Sequence, residues 1–213
     1  MTLLNQLKQY VDEKDFGDPI FLSEVTRKFD RKNDEKFRNT ISAYLNRLVR
    51  SDQLRKFDDG IFYKFRINVF GETHLNVSRL IKSTYLFDDV DQKVVGYQIG
   101  TQVLEAMGIT NNLENKVTIV TNHFNRKKIL SKVNSTIQLK KPVIKIDDLN
   151  YVYLQMLDTI NEIEKYHIIE DDIGRKLVQF MKENEIEVNL LFQFAKKHYS
   201  HKTLEKLADF LAM

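Results

Sequence analysis

The chain has 213 residues, of which 42% are hydrophobic and 30% are charged, and its formal net charge is +3. This composition is typical of a folded protein and excludes a disordered chain. The absence of cysteine excludes disulfides and thiol catalysis and fits a reducing compartment. No segment approaches the roughly 20 apolar residues of a membrane helix, and the acid-containing N-terminus does not resemble a signal peptide. We therefore expect a cytoplasmic protein that has no membrane partner.

The first 68 residues predict a winged helix-turn-helix domain. Apolar residues at helical spacing predict a first helix over residues 3–11, and Ser23 is the expected N-cap of a second helix that runs to residue 29. A third helix is predicted over residues 34–51. The Asp-Gly turn at residues 58–60 lies between two β-type segments and predicts a hairpin, with Gly60 at positive φ. Three helices followed by a hairpin are the element order of a winged helix.

The third predicted helix has a polar face that could read DNA. No acid occurs between Glu35 and Asp52. Asparagine can pair with adenine edges, arginine with guanine, and serine or threonine with bases or phosphates. The alternative interpretation is an ordinary solvated face on a small helical domain. The polar face and its flanks comprise Lys36, Asn39, Thr40, Ser42, Ala43, Asn46, Arg47 and Arg50.

The remainder of the chain predicts an α+β protein with a small central α/β sheet domain, residues 69–148, and a helical C-terminal part, residues 149–213, packed on it. We predict a strand, a glycine-containing turn and a helix over residues 93–108, and a strand over 115–122. Residues 128–133 and 135–146 are predicted as further strands. Turn geometry and close packing explain the glycines of "GYQIG", residues 96–100, better than a phosphate-binding loop does.

A run of eight basic residues without one acid occupies residues 115–146. Two interpretations remain open. The run could be a solvated or internally neutralised sheet face, or a second surface for nucleic acid or another acidic partner. The candidate residues of this possible second surface are Arg126, Lys127, Lys128, Lys132, Lys140 and Lys141.

No motif predicts catalysis, a metal or a cofactor. The sequence has no phosphate-binding glycine loop, no nucleophile elbow and no metal-spaced histidine cluster. His198 and His201 are expected on the surface, and the acids at 170–172 are expected at a helix N-terminus, where they complement the helix dipole. We therefore expect that the protein is not an enzyme. A cryptic enzyme site in the central sheet remains an alternative, although the acid-free run at 115–146 disfavours it.

Two stretches resemble the AbiEi-type antitoxins of type IV toxin–antitoxin systems, which are associated with bacterial abortive infection. The first, "PIFLSEV…LNRLVRSDQLRKFDDGIFYKF", resembles their winged-helix head. The second, "VVGYQIGTQVLEAMGITNNLENKVTIVTN", resembles the opening of their second domain. The resemblance covers roughly residues 1–146 and is loose over the helical tail.

The resemblance implies a DNA-binding transcriptional repressor of its own operon that binds operator repeats and counters a nucleotidyltransferase toxin, without requiring a stable complex. On this chain it assigns wing contacts to Arg55, Lys56 and Lys64. The acidic wing tip departs from this pattern, because Asp58 and Asp59 would repel phosphate. A winged-helix protein-interaction module without DNA binding remains an alternative. The resemblance assigns DNA reading on the helix to Lys36, Asn39, Thr40, Ser42, Asn46, Arg47 and Arg50.

Overall fold

The protein is α+β, as predicted, with helices at both ends and small sheets between them. The computed structural model describes residues 2–29, 34–110, 117–126, 128–133, 137–165 and 172–212. The chain divides into two units, one of Met1–Thr84 with Asp89–Gln92 and one of Tyr85–Asp88 with Lys93–Met213. The domain boundaries predicted after residues 68 and 148 stay predictions.

The first unit begins with a winged-helix arrangement. Its sheet is three-stranded and antiparallel in the order β1-β3-β2, with Ile20 opposite Phe62 and Arg55 opposite Tyr63. The hairpin formed by β2 and β3 is the wing. The elements in chain order are α1 (Leu3–Asp12), β1 (Pro19–Phe21), α2 (Leu22–Lys28), α3 (Glu35–Arg50), β2 (Leu54–Asp58) and β3 (Ile61–Lys64).

The core of this unit explains why three short helices and a hairpin fold together. A lone hairpin is marginally stable in water, but here Leu54 and Phe62 of the wing are buried against the three helices. Burial of apolar surface of this kind is the main favourable term in folding. The helices contribute Leu7, Tyr10, Val11, Leu22, Val25, Phe37, Ile41, Tyr44, Leu45 and Leu48 to the same core.

The wing turn confirms one local prediction and the start of α2 corrects another. Gly60 has φ 75°, the left-handed conformation that the Asp-Gly signal predicts. Ser23 is not the N-cap of α2, because the helix begins at Leu22 and its cap residue, Phe21, makes no side-chain cap bond. The strand β1 runs directly into the helix, and the Leu22 N–H donates to the Gly60 carbonyl at 2.8 Å. Backbone pairing with the wing therefore replaces the side-chain cap.

A second, shorter hairpin follows the wing. Its strands β4 (Ile67–Asn68) and β5 (Gly71–Glu72) are antiparallel and joined by Val69 and Phe70. The helix α4 (Val77–Ile81) follows, capped by the Asn76 side chain, and continues into a π-helical turn, Lys82–Leu86. The sequence patterns did not predict this hairpin.

The second unit contains a three-stranded sheet and the C-terminal helices. The sheet order is β10-β9-β8, with β8 antiparallel and β10 parallel to the central strand β9. A small hairpin of β6 and β7 precedes it. The elements are β6 (Phe87–Asp88), β7 (Lys93–Val94), β8 (Gly96–Ile99), α5 (Thr101–Ala106), β9 (Val117–Thr121), α6 (Lys128–Lys132), β10 (Ile137–Lys140), α7 (Tyr151–Lys165), α8 (Ile173–Glu183), α9 (Val188–His198) and α10 (His201–Ala212).

The prediction of a strand over residues 128–133 is wrong, because this segment forms α6. Parallel strands cannot be joined by a tight turn and usually require a helical crossover, and α6 lies between the parallel strands β9 and β10. Of the predicted 135–146 strand, residues 135 and 136 lie outside the described residues, residues 137–140 pair in the sheet, and residues 141–146 do not. The strand, turn and helix predicted over 93–108 are confirmed, with Gly108 at φ 68° just past α5.

The C-terminal helices share one apolar core with α5. Leu104, Leu157, Ile160 and Leu191 are fully buried there, while Tyr97, Val120 and Leu154 belong to a neighbouring core between the sheet and α7. No helix among the described residues is long and apolar enough to cross a membrane.

Candidate nucleic-acid interface

The helix α3 is built so that one side is buried and the other faces solvent. The Asp34 carboxylate caps its start by accepting the Phe37 N–H at 2.9 Å, which satisfies an otherwise unpaired helix donor. Its apolar residues from Phe37 to Leu48 lie in the core. The opposite side carries cations and short polar groups with no acid from residue 36 to residue 51.

The predicted reading residues do share this outer side of α3, but they differ in how free their polar atoms are. Lys36, Asn39, Thr40, Arg47 and Arg50 are exposed, whereas Ser42 and Asn46 are half-buried. The Thr40 hydroxyl donates to the Lys36 carbonyl at 2.9 Å, and the Asn46 amide donates to the Ser42 carbonyl at 2.8 Å.

Of the two asparagines on the outer side of α3, Asn39 is a better candidate than Asn46 for pairing with adenine. Bidentate pairing requires an asparagine to donate from its amide nitrogen and to accept at its oxygen. The amide nitrogen of Asn46 is already used within the helix. The Asn39 side chain makes no hydrogen bond among the described residues.

Arg38 belongs to the same side of α3, although the sequence interpretation omitted it. Its side chain is exposed and lines a cleft of about 430 Å³ together with Asn39, Ser42 and Lys56. This cleft lies between α3 and the wing turn, where it also reaches Asp59 and Gly60. The spacing of 38 and 42 in a helix, one turn apart, was the signal that could have identified Arg38.

The wing cation Arg55 is held by internal contacts. Its guanidinium donates to both carboxylate oxygens of Glu72, at 2.8 and 2.9 Å, and to Asp52 at 2.7 Å. It also lies 3.6 Å from the centre of the Phe65 ring. The hydrogen bond from Arg55 lowers the pKa of the Glu72 carboxyl, and the same carboxylates raise the pKa of Arg55. A guanidinium with these partners is poorly placed to bind phosphate.

The other two wing cations are also engaged. Lys56 Nζ lies 2.8 Å from the Asp59 carboxylate. Lys64 Nζ donates to the carbonyls of Asp12 and Lys14, each at 2.8 Å, at the C-terminal end of α1, where a cation is favoured by the helix dipole. The wing of this chain is therefore nearly neutral, and the cations of α3 are the better candidates for phosphate contacts.

The possible second basic surface lies in the other unit and is partly neutralised. Lys140 Nζ pairs at 2.8 Å with Glu162, a carboxylate on α7 that is only 8% exposed. Arg126, Lys132 and Lys141 are exposed. Lys127 and the side chain of Lys128 lie outside the described residues. At Lys140 the basic run is therefore neutralised within the chain, by a carboxylate of the C-terminal helices. The interpretation as a second surface for an acidic partner stays open for the exposed residues.

A buried polar cluster lies beside this pair. The Tyr97 hydroxyl donates to Asp158 at 2.7 Å. Burial raises the pKa of the Asp158 carboxyl, although hydrogen bonds from Tyr97 and Tyr199 oppose the shift. Within the described ranges, no group of three His, Asp or Glu side chains is arranged to hold a metal ion.

The chain matches no protein-family model and no curated protein sequence. The features of the chain that bear on its function are those of the winged-helix unit and of the outer side of α3.

Proposed function

We propose that the protein is a DNA-binding transcriptional repressor of its own operon and the antitoxin of a type IV toxin–antitoxin system that acts in the cytoplasm. The observation that carries the DNA-binding part is the outer side of α3. This helix presents Lys36, Arg38, Asn39, Arg47 and Arg50 to solvent beside a wing, without one acid between residues 36 and 51. A helix of this composition fits the major groove, where base edges differ most between base pairs.

The proposed binding mode places α3 in the major groove of double-stranded operator repeats. Asn39 and Arg47 contact base edges, and Lys36 and Arg50 contact phosphates on either side. The neutral wing contributes shape rather than charge. Most protein–DNA hydrogen bonds go to the backbone and set the register, while base contacts set specificity.

The antitoxin part of the proposal is supported by the resemblance of residues 1–146 to AbiEi-type antitoxins. We propose that the protein is not an enzyme, uses no cofactor, and counters a nucleotidyltransferase toxin. A toxin gene would be expected beside the gene of this chain. Growth of cells that express this neighbouring gene, with and without the chain, tests the pairing, and a chain that fails to restore growth would contradict it.

A winged-helix module that binds protein instead of DNA is the second candidate. The internal pairing of Arg55, Lys56 and Lys64 favours it, because binding to DNA depends strongly on cations that neutralise phosphates. The two candidates differ in one measurement, the affinity for DNA that carries the chain's own promoter.

Gel-shift titration at fixed salt is the deciding experiment. We expect Asn39→Ala and Arg47→Ala each to weaken promoter binding by about 1–3 kcal/mol, the typical value of a base contact. Asn5→Ala and Lys8→Ala are matched controls on the exposed side of α1 and should bind normally. If the wild-type protein does not retard promoter DNA, the protein-binding module is the better-supported function.

A further inference from the structure

The hairpin of β4 and β5 has a tip that is held by backbone pairing and a side-chain hydrogen bond. Its strands pair Ile67 with Glu72 and Asn68 with Gly71. Gly71 has φ 108°, a value that side chains rarely allow. The Asn68 side chain accepts the Phe70 N–H at 2.9 Å. These features fix the two tip residues, Val69 and Phe70, in one tight turn.

The tip is apolar and almost completely exposed. Val69 is 93% and Phe70 95% exposed, and the adjacent Ile67 is 73% exposed. Scattered single apolar residues on a surface are normal, but a contiguous apolar protrusion marks an interaction site. An aromatic side chain at such a tip gains nothing from the fold of its own unit, and this exposure favours a contact with another molecule.

The hairpin is anchored beside the C-terminal end of α3. Glu72, in β5, receives two hydrogen bonds from Arg55, and the same guanidinium donates to Asp52, two residues beyond the helix. The Thr73 N–H closes the base of the hairpin by donating to the Arg66 carbonyl at 2.9 Å. The exposed cations Arg47 and Arg50 occupy this last part of α3.

The charge around the hairpin favours an anionic partner. From residue 66 to residue 82 the sequence contains one acid, Glu72, and both of its oxygens are bound by Arg55. The same segment contains Arg66, Arg79 and Lys82, and also His74. Arg79 lies 3.6 Å from Asp18, whereas Arg66 and Lys82 are exposed and form no ion pair among the described residues.

The small size of the tip favours DNA over a second copy of the chain as its partner. A stable protein interface buries about 800 Å² on each partner, whereas one phenylalanine buries only about 150–250 Å². A wedge between base steps of DNA requires only one or two apolar side chains, with nearby arginine or asparagine in the minor groove. Phe70 with Val69 fits the second requirement, with Asn68 in the same turn and Arg66 at the base of the hairpin.

We propose that the β4–β5 hairpin is a minor-groove wedge, which inserts Phe70 between base steps next to the major groove that α3 occupies. This inference rests on the proposed DNA binding and adds a second contact that bends the duplex. Wedges of this kind bend DNA by about 20–90°. The hairpin thereby makes flexible pyrimidine–purine steps the favoured sequence beside the operator contact of α3.

The chain contains no tryptophan, so Phe70→Trp places a single tryptophan at the tip, and its emission can be excited selectively, without that of the tyrosines. On addition of duplex DNA carrying the promoter of the chain's own operon, its fluorescence should be quenched by base stacking and become inaccessible to acrylamide. Leu149→Trp is the matched control at an 84% exposed site in the other unit, and its fluorescence should not respond. Phe70→Ala should lose about tenfold in affinity and most of the bend measured by end-to-end energy transfer.

Three results would overturn the wedge, and they are distinguishable. The first result is that the protein retards promoter DNA, but the fluorescence of Phe70→Trp does not respond and Phe70→Ala bends the DNA as the wild type does. This result would contradict the wedge and leave the proposed function intact. If the wild-type chain does not bind the promoter DNA at all, both the wedge and the proposed DNA-binding function are contradicted. A change in Phe70→Trp emission that depends on protein concentration without DNA would assign the tip to contacts between copies of the chain.

Discussion

At the scale of single residues, Arg55 connects the wing to the second hairpin through its guanidinium. Its position in the wing predicts a phosphate contact, but its guanidinium joins Glu72, Asp52 and the Phe65 ring. Bidentate arginine–carboxylate pairs are directional and short. Arg55 therefore fixes the second hairpin to the wing, and a lysine could not reproduce this fork.

The pair predicts a pH dependence with a definite sign. The Arg55 hydrogen bonds hold the pKa of Glu72 below its ordinary value, so the folded state favours the ionised carboxylate. The resulting stabilisation is present above the ordinary glutamate pKa, near about 4.3, and is lost as the pH falls through the lowered value. We expect the carboxyl carbon of Glu72 to titrate at a higher pH in Arg55→Ala when followed by NMR. An unchanged titration would mean that the pair does not persist in solution.

Gly96 supports a second prediction, which concerns space rather than backbone freedom. A Cβ built at this position would lie 2.1 Å from the Tyr85 carbonyl oxygen and 2.7 Å from that of Val120. Backbone atoms cannot move aside cheaply, so we expect Gly96→Ala to destabilise the protein by about 3 kcal/mol or more. Gly108→Ala is the control, since a Cβ added there has no atom within 4 Å, although Gly108 has φ 68°. We expect it to lower the free energy of unfolding by only about 1 kcal/mol. Urea denaturation measures both; equal losses would show that the contacts around Gly96 relax.

At the scale of elements, the sequence predicts those whose signals are local. The wing turn follows from Asp-Gly, α3 from its apolar stripe, and the helix after Gly100 from its glycine-bounded pattern. Each of these signals lies within a few residues of the element that it forms. For the same reason, the outer side of α3 could be identified as a candidate site before the fold was known.

The errors occur where distant partners determine the structure. The segment around Ile129 and Leu130 has a short apolar run, which periodicity alone cannot assign to helix or strand, and its helix is fixed by the parallel pairing of β9 with β10. The start of α2 depends on a bond between Leu22 and Gly60. The pairing of Arg55 with Glu72, 17 residues apart, could not be inferred from spacing.

The contrast between α3 and the wing gives a prediction about salt. Each phosphate contact contributes a slope of about 0.9 in log affinity against log salt concentration. Arg50 is exposed on α3 and has no ion pair among the described residues, whereas Lys56 is paired with Asp59. We expect Arg50→Ala to reduce the slope by about one unit and Lys56→Ala to leave it unchanged, measured by fluorescence anisotropy of promoter DNA. The reverse pattern would show that the wing lysine exchanges its carboxylate for phosphate on binding.

At the scale of the whole molecule, charge is distributed very unevenly along the chain. The eight basic residues at 115–146 belong to the second unit, while the proposed reading helix belongs to the first. Lys140 and Lys141 are neighbours in this run and differ in surroundings, because Lys140 pairs with the nearly buried Glu162 and Lys141 is exposed. Removing a partner from a buried carboxylate is costly, whereas removing an exposed charge is not.

These two lysines allow the roles of the basic run to be separated. We expect Lys140→Ala to lower the free energy of unfolding by about 1–3 kcal/mol, since the nearly buried Glu162 loses a cationic partner. We expect Lys141→Ala to change it by less than about 0.5 kcal/mol. If the run also contacts DNA, the double variant Arg126→Ser/Lys141→Ser should keep its stability but reduce the salt slope of promoter binding by about two units. A slope equal to that of the wild type would confine the phosphate contacts to the winged-helix unit. The basic run would then serve packing, as Lys140 does through Glu162, or a protein partner.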